Sequence, residues 1–316
     1  MNFQITEPIL IIGIGGVGAK LATQAKELLN SEILLISNDQ KDLKSDNSIV
    51  ISTKSVINPS IQLIRGSTYK VSESIKNEVS KYSTIIILAN LAGKSGAAIA
   101  PAVSHLCKEE NKNVISFAIM PFKFEKDRIF HAGISLKRLR EYSGCTVVLD
   151  NDALLDSNPD LSPVACHNIS NNAILKVISS LENTSISGQT SIISTSKDVE
   201  SIEDSLKDSL RMLYEDAPPS SVKRTILYVL GGNNIPVGIL NSITNISSSI
   251  FSQESTSVSP SISSAEKSKV VMLSTIQGET HFDKYDPLGI ISHENTLDWE
   301  QPECSIDCEI ELYQLE

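Results

Sequence analysis

The sequence is poor in aromatic side chains and lacks any long apolar run, and each absence excludes classes of protein. Aromatics make up 5% of its 316 residues, with one tryptophan at Trp299, whereas surfaces that stack on sugars or single-stranded nucleic acid need exposed rings. No stretch approaches the ~20 apolar residues of a membrane-spanning helix. The first apolar run, Ile9 to Ile14, leads into glycines rather than a signal-peptide cleavage site. We therefore expect a cytoplasmic protein that does not insert into a membrane.

Positive charge and paired cysteines are also scarce. Lysine and arginine number 27 against 38 acidic residues, a formal net charge of −11. Such a protein repels phosphate backbones, so nucleic acid is not an expected partner. The five cysteines are scattered and form no CxxC pair, which predicts reduced thiols and no metal site. They are Cys107, Cys145, Cys166, Cys304 and Cys308.

Apolar runs typical of buried strands alternate with segments of helical period along the first half of the chain. This alternation predicts an α/β fold, with a Rossmann-like, mostly parallel sheet and right-handed crossovers. The predicted strands are Pro8–Ile14, Ile33–Ile36, Ile85–Ala89, Val114–Ile119 and Thr146–Leu149, and the predicted helices are Val17–Leu29, Ile99–Lys108, Phe130–Tyr142 and Asn168–Leu181.

The second half of the chain has a weaker pattern of the same kind. We predict helices at Val199–Tyr214 and Val237–Ile250 and strands at Arg224–Leu230 and Lys269–Thr275. The serine-rich segment 247–268 has too little apolar content to fold alone and is predicted to be a loop. The resulting domain prediction is a nucleotide-binding domain over 1–182, a smaller α+β domain over 183–276 and an acidic tail over 277–316.

A glycine-rich loop joins the first predicted strand to the first helix. It contains Gly13, Gly15, Gly16 and Gly18, which let the backbone turn tightly and approach a phosphate at the helix N-terminus. With Asp39 some twenty residues later, the same pattern also fits a dinucleotide fingerprint. A tight turn with no ligand is a third interpretation.

A second loop of small residues follows the strand Ile85–Ala89. It contains Gly93, Lys94, Ser95 and Gly96. Two such loops on neighbouring strands could hold one polyphosphate between them. The run Gly93-Lys94-Ser95 is not a P-loop, because that motif requires glycine where this chain has Leu88.

Four sequence blocks between residues 9 and 155 resemble the FtsZ/tubulin superfamily. The first glycine loop is similar to the family's first loop, and Ala92–Ala98 followed by Ile99-Ala100-Pro101 resembles its GGGTGTG and AAP signature. Pro121–Glu125 matches its PFxFE motif, and Asn151–Leu155 matches its Asn-Asp pair followed by two leucines. The order and spacing of the blocks carry the resemblance, since each block alone is weak.

The resemblance implies that GTP or GDP binds with magnesium, and it assigns roles residue by residue. Gly13, Gly15, Gly16 and Gly18 would line the α- and β-phosphates, and Gly93, Ser95 and Gly96 the β- and γ-phosphates, with Lys94 adding charge. Asp39 would lie near the nucleotide and its magnesium. The remaining roles are Glu125 and Arg128 beside the ribose and phosphates, Asn151 and Asn172 at the guanine edge, and His167 stacked on the base. A helix-end histidine without a ligand explains His167 equally well.

The family's biology is also implied: a cell-division or cytoskeletal protein that assembles head to tail with itself or with an FtsZ-like relative. The hydrolytic loop departs from the family pattern, however. Where the family has N-x-D-x-x-D after the long helix, the stretch Ser185–Asp198 offers only Asp198, and Thr195 occupies the other acidic position. Loss of a water-activating carboxylate lowers a rate ~10²–10⁴-fold, so we expect weakened or lost GTP hydrolysis. Asp198 could equally be a helix N-cap.

Two other hypotheses remain open. A Rossmann-type NAD- or ATP-dependent enzyme could use the first glycine loop, but it would leave PFxFE and the Asn-Asp block unexplained. A relative that has lost the nucleotide and serves as a structural partner of a polymer-forming protein would account for the altered loops, including Ala97 and Ala98 in place of a hydroxyl residue and a glycine.

Overall fold

The computed structural model describes residues 2–54, 57–181, 186–188, 190–197, 199, 201–231, 257–263 and 269–285, and the single positions 238, 241, 242 and 245. Ten of the described strands form one sheet, and two more form a short antiparallel pair. The strands are β1 (Asn2–Phe3), β2 (Ile9–Ile14), β3 (Glu32–Ser37), β4 (Ser48–Val50), β5 (Thr84–Asn90), β6 (Asn113–Met120), β7 (Cys145–Asp150), β8 (Ile186–Ser187), β9 (Thr190–Thr195), β10 (Val222–Leu230), β11 (Ser257–Ser263) and β12 (Lys269–Ile276).

The large sheet has the order β11-β10-β12-β9-β7-β6-β5-β2-β3-β4, and β1 pairs with β8. From β4 to β9 every pairing is parallel, whereas β12 runs antiparallel to both of its neighbours. The α/β fold with a mostly parallel sheet, predicted from alternating strands and helices, is therefore confirmed.

Helices cover both faces of the sheet, which is why the central strands are buried along most of their length. All six residues of β2 are buried, for example. The helices are α1 (Gly15–Lys26), α2 (Ile61–Tyr69), α3 (Ser72–Val79), α4 (Lys94–Glu109), α5 (Lys126–Tyr142), α6 (Asn151–Ser157), α7 (Pro163–Ser180) and α8 (Ile202–Asp216). One core lies under α2, α3, α4, α5 and α8, and the other lies under α1, α6 and α7. None of these described helices is long and apolar enough to cross a bilayer.

The structure corrects the prediction that segment 247–268 is a loop throughout. Residues Ser257–Ser263 form β11 at the edge of the sheet, parallel to β10. Pairing with β10 gives the backbone of β11 its hydrogen-bond partners, so this segment forms a strand although few of its residues are apolar. Pro260, which lacks a backbone N–H, is tolerated because an edge strand has one unpaired side.

Other parts of the second half are described incompletely. Positions 238, 241, 242 and 245 are helical, but the rest of the predicted helix Val237–Ile250 lies outside the described residues. Residues His281–Tyr285 form a 3₁₀ turn, with Phe282 buried, and the tail after 285 lies outside the described residues as well. The division into domains at 182/183 stays a prediction.

Candidate functional site

The loop after β2 passes directly into α1. Gly15, the first residue of the helix, has φ of +64°, a left-handed conformation that glycine adopts without strain. Gly13 and Gly18 are buried, and a Cβ on Gly18 would lie 2.2 Å from the carbonyl oxygen of Leu88. Gly13 and Gly18 therefore allow α1 to pack closely on the sheet, whereas Gly16 is the exposed glycine of the four.

The second loop lies between the end of β5 and the start of α4. The side chain of Asn90 accepts a hydrogen bond from the backbone N–H of Ala92 at 2.9 Å, which fixes the turn. Gly93 precedes the helix, and a Cβ on Gly96 would lie 2.0 Å from the carbonyl oxygen of Asn90. Close backbone approach therefore requires glycine at position 96.

The two glycine loops meet, as the sequence predicts, because β5, β2 and β3 are parallel neighbours. The Ser95 hydroxyl donates to Oδ1 of Asn38, in the segment after β3, at 2.5 Å. The Cβ of Ser95 is 3.1 Å from the position that a Cβ on Gly15 would take. Three strand ends thus form one continuous surface at the carboxyl edge of the sheet.

Neither α1 nor α4 has a side-chain N-cap or an acidic residue in its first turn. By contrast, Ser60, Ser162 and Ser201 cap α2, α7 and α8 with a hydroxyl that accepts from a backbone N–H. The first-turn N–H groups of α1 and α4 are therefore not satisfied by a capping side chain. Two such helix starts side by side suit a ligand with several negatively charged oxygens.

The carboxylate beside the first loop belongs to Asp42 rather than to Asp39. Asp39 is exposed, and its Oδ1 accepts from a backbone N–H two residues later at 3.0 Å. Oδ1 of Asp42 lies 2.8 Å from where a Cβ on Gly16 would stand, and its Oδ2 accepts from the Ser37 hydroxyl at 2.7 Å. The sequence analysis missed Asp42, although a second acid one turn after Asp39 was a visible signal.

Lys94 is directed away from the loops toward the segment before α2. Its ammonium donates to Oδ1 of Asn58 at 2.7 Å. Arg65 lies nearby, buried, and donates to the carbonyl of Ala97 at 3.4 Å. Burial lowers the pKa of His131, and the charges of Arg65 and Lys94 lower it further. The flank of α4 near its start is therefore basic, but it is not aimed between the two loops.

The PFxFE segment brings Glu125 and Arg128 together. Oε1 of Glu125 accepts from Nη1 of Arg128 at 2.5 Å, and its Oε2 accepts from the backbone N–H of Phe122 at 3.2 Å. The Phe122 ring stacks on Phe124, with centroids 4.9 Å apart, and meets the His167 ring edge-on at 5.3 Å. Phe124 is 61% exposed, so this row of rings ends at the surface.

Asn151 and Asn172 differ in their environments. Asn151 is buried, its Oδ1 accepts from the Ser170 hydroxyl at 2.7 Å, and its Nδ2 donates to the Met120 carbonyl at 3.2 Å. Both sides of this amide thus join β6 to α7. Asn172 is exposed on α7. His167 lies beside Asn151, with Nδ1 3.5 Å from Nδ2 of the amide, and burial lowers its pKa although Glu125 opposes this.

The described cysteines are buried and form no disulfide bond. Burial raises the pKa of Cys107 and of Cys145 to about 12, and it also raises that of Cys166, so these thiols are poor nucleophiles. Across the residues that the structure covers, no three His, Cys, Asp or Glu side chains are grouped to hold a metal ion. Cys304 and Cys308 lie outside the described residues.

Comparisons with known proteins agree with this geometry. Residues 8–159 match the Tubulin/FtsZ family, GTPase domain. Cell division protein FtsZ 2 of Halobacterium salinarum is 29% identical over 165 residues, which cover 48% of this chain and 41% of that protein. Cell division protein FtsZ 2 of Methanocaldococcus jannaschii is 26% identical over 162 residues, covering 48% and 43%. The matched segment thus spans less than half of the length of these relatives.

Solved structures extend the likeness in fold beyond the matched sequence. An empty FtsZ dimer from M. jannaschii has a TM-score of 0.70 at 18% identity, covering 86% of this chain and 88% of that one. A GTPγS-bound protofilament of CetZ2 from Haloferax volcanii has a TM-score of 0.65 at 15% identity, covering 88% and 96%. The segment 8–159 belongs to the FtsZ/tubulin superfamily. This is a superfamily of cell-division and cytoskeletal GTPases.

The stretch that aligns with the superfamily's hydrolytic loop is largely a strand in this member. Residues Thr190–Thr195 form β9, which pairs parallel to β7 and antiparallel to β12 and is buried over its last five residues. Thr195 is buried, and its hydroxyl donates to the carbonyl of Val270 at 3.3 Å. The loop expected from the FtsZ/tubulin resemblance is therefore absent over these residues. Asp198 lies outside the described residues.

Proposed function

We propose that the chain binds GTP or GDP across the loops that follow β2 and β5. The observation that carries the proposal is the pair of helices, α1 and α4, that start side by side without capping side chains, with the Cβ of Ser95 3.1 Å from the position that a Cβ on Gly15 would take. A di- or triphosphate supplies several acceptors for their first-turn N–H groups. The backbone around the proposed phosphate position is formed by Gly15, Gly16 and Gly93.

The residues present also fit a magnesium ion that accompanies the phosphates. Carboxylate and hydroxyl oxygens are the ligands that magnesium prefers, and it takes few of them from the protein when phosphates are bound. Asp42 and Ser95, which flank the start of α1, would hold it, with Asp39 further out. A bound magnesium ion would neutralise part of the phosphate charge.

Base recognition is assigned to the start and middle of α7. Asn172 is exposed there and can pair with guanine through both donor and acceptor. Asn151, already bonded on both sides of its amide, would support His167 and α7 rather than contact the base directly. Glu125 and Arg128, held together as a pair, would lie toward the ribose.

We infer that hydrolysis is weakened or lost. Thr195, at the position where the FtsZ/tubulin resemblance implies an acid, is buried in β9 and carries a hydroxyl, so this residue cannot activate a water molecule. Asp198 is the remaining candidate for the catalytic carboxylate. Assembly would be head to tail, with itself or with an FtsZ-like relative, because a heterologous contact repeats into an open filament.

Thermal unfolding with GTP, GDP, ATP or NAD, each with and without magnesium, tests nucleotide binding. A ligand at ~100 times its dissociation constant adds about 2.7 kcal/mol to the free energy of unfolding. We expect guanine nucleotides alone to raise the melting temperature. Stabilisation by NAD or ATP instead would favour the Rossmann-type enzyme, and no response to any ligand would favour the nucleotide-free structural partner.

Asn172→Ala tests where the base lies. We expect it to weaken the apparent affinity for GDP about tenfold, which lowers the stabilisation by GDP. The ligand-free melting temperature should not change. Asn171→Ala is the matched control, because the next position on a helix points about 100° away. Equal effects of the two substitutions would place the base elsewhere.

Phosphate release and light scattering, measured together with GTP and magnesium, test turnover and assembly. We expect little release in the wild type and a further decrease in Asp198→Asn if this carboxylate is the one that remains. Filaments that form without phosphate release would show binding and assembly in the absence of turnover. A monomer at all concentrations would contradict the head-to-tail proposal.

A further inference from the structure

A cavity of about 300 Å³ lies at the edge of the sheet opposite the glycine loops. Its walls come from the end of α5, the first residues of β7 and β9, and the segment that follows β12. β7 and β9 begin at this edge and run parallel to β2 and β5, whose far ends carry the glycine loops. The cavity is therefore separate from the nucleotide site proposed above, and nothing in the following argument rests on that proposal.

Hydroxyl groups replace apolar side chains along the sheet beside the cavity. Ser116, Thr146 and Thr190 are in register on three neighbouring strands, so their side chains share one face of the sheet. The hydroxyl of Ser116 is bonded to that of Ser143 at 2.7 Å. Thr146, which lines the cavity, is 2% exposed, and its hydroxyl has no hydrogen-bond partner in the described chain.

Arg140, whose Nε–H has no acceptor among the described residues, lines the same cavity. Nη1 of Arg140 donates to Oδ1 of Asp283 at 2.6 Å, and its Nη2 donates to the hydroxyl of Thr280 at 2.9 Å. These two bonds fix the plane of the guanidinium group. Its Nε is buried and has no acceptor among the residues that the structure describes, a rare state for a donor on a charged group.

The wall is open at the glycine that follows β12. Gly278 has φ of +115°, and a Cβ there would meet no atom within 4 Å. Gly144 and Gly188 also line the cavity, so three positions of the wall have no side chain. A volume of this size falls at the lower end of pockets that hold small molecules.

We propose that this cavity binds a small oxyanion, a carboxylate or a phosphate group. Its oxygens accept from Nε of Arg140 and from the hydroxyl of Thr146, two buried polar atoms of cavity-lining residues that lack partners in the described chain. The anion then bridges α5 and β7 on one side and β9 and the segment after β12 on the other. Binding there stabilises the packing of these elements against each other.

The Nε–H of Arg140 gives its own nuclear magnetic resonance signal, which Arg140→Lys identifies by removing it. Inorganic phosphate and acetate are titrated separately, against sodium chloride at equal ionic strength. We expect one of them to shift this signal to saturation, and which one does so distinguishes a phosphate ligand from a carboxylate. Thr146→Val, which removes the hydroxyl and keeps the shape, weakens that binding about tenfold.

Ser194→Ala is the control, since Ser194 is a buried hydroxyl without a partner in the described chain that does not line the cavity; it leaves the titration unchanged. Saturating GDP also leaves the Arg140 shift unchanged, which separates this site from phosphate bound at the glycine loops. If neither anion shifts the signal, water alone fills the cavity and the proposal is wrong. If Thr146→Val responds like the wild type, the anion does not bind at this hydroxyl and the proposed site is wrong.

Discussion

The hydroxyl of Ser95 donates to the amide oxygen of Asn38 across 2.5 Å, and this bond joins the loop after β5 to the segment after β3. The two residues are 57 positions apart in the chain. Their contact spans the end of β2, the strand between them, and lies beside the start of α1, where the Cβ of Ser95 is 3.1 Å from the position that a Cβ on Gly15 would take. The geometry of the proposed phosphate site therefore depends on a bond between two strand ends that are not themselves neighbours.

Removing this bond by Ser95→Ala should loosen the contact between the loop after β5 and the segment after β3. We expect the free energy of unfolding to fall by about 0.5–1.5 kcal/mol, the usual contribution of one hydrogen bond, and the stabilisation by GDP to fall as well. Ser179→Ala is the control, because its hydroxyl bonds only to the carbonyl of Lys176 within α7. Denaturant unfolding with and without GDP measures both effects. An unchanged response to GDP in Ser95→Ala would separate this contact from ligand binding.

Two glycine-to-alanine substitutions should have opposite effects on the free energy of unfolding. A Cβ at Gly96 would lie 2.0 Å from the carbonyl oxygen of Asn90, so Gly96→Ala should destabilise by roughly 1–3 kcal/mol or more. A Cβ at Gly66, inside α2, would meet no atom within 4 Å, so Gly66→Ala should stabilise by roughly 0.5–1 kcal/mol. Chemical denaturation of the two variants checks the signs. Destabilisation of both would contradict the packing around α2.

A buried carboxyl pair should make stability depend on pH. Asp150 and Asp216 are 2% and 1% exposed, and the carboxyl group of Asp216 faces Asp150 and accepts no N–H or O–H bond from another described residue. Burial raises the pKa of Asp150 to about 7. The backbone N–H of Asp152 opposes this shift, the charge of Asp152 adds to it, and Lys123 opposes it. Burial and the proximity of Asp150 raise the pKa of Asp216. The pair therefore holds a proton in the folded state.

This proton makes the free energy of unfolding decrease as pH rises. Both pKa values are raised above the unfolded value of 3.8, so the folded state binds more protons, and stability falls as pH rises toward and through about 7. Asp216→Asn, whose amide can donate to Asp150, should flatten this fall and raise the melting temperature at alkaline pH. Asp204→Asn, at an exposed position of α8, is the control. If the melting temperatures of Asp216→Asn and the wild type change equally with pH, the carboxyl pair does not hold a proton in the folded state.

The two acids near the first loop should differ in their effect on phosphate binding. Asp42 lies against Gly16, whereas Asp39 is exposed and accepts a hydrogen bond from the backbone N–H of Lys41. Without magnesium, the Asp42 charge repels a phosphate, so Asp42→Asn should raise the affinity for GDP by roughly three- to tenfold. Asp39→Asn should change it less. Calorimetric titration with a chelator present measures both, and a larger effect of Asp39→Asn would favour the assignment made from the sequence alone.

The sequence was sufficient to predict the elements whose signals are local. The apolar run Ile85–Ala89 and the glycines after Ile14 predicted β5 and the start of α1, because strand burial and a left-handed turn each depend on a few consecutive residues. The resemblance of four ordered blocks predicted the superfamily. Local signals did not find β4, α2 or α3, whose segments combine short apolar runs with many polar residues.

The chain by itself therefore determined the parallel sheet, the two glycine loops and the superfamily, since periodicity and glycine positions encode backbone conformation directly. Only the tertiary structure decided that Asp42 rather than Asp39 lies at Gly16, that both sides of the Asn151 amide are used internally, and that 257–263 is an edge strand. It alone also placed Arg140 and Thr146 around one cavity. The physical reason is that these relationships are distances between side chains from separate elements, and such distances are set by how the elements pack rather than by their spacing along the chain.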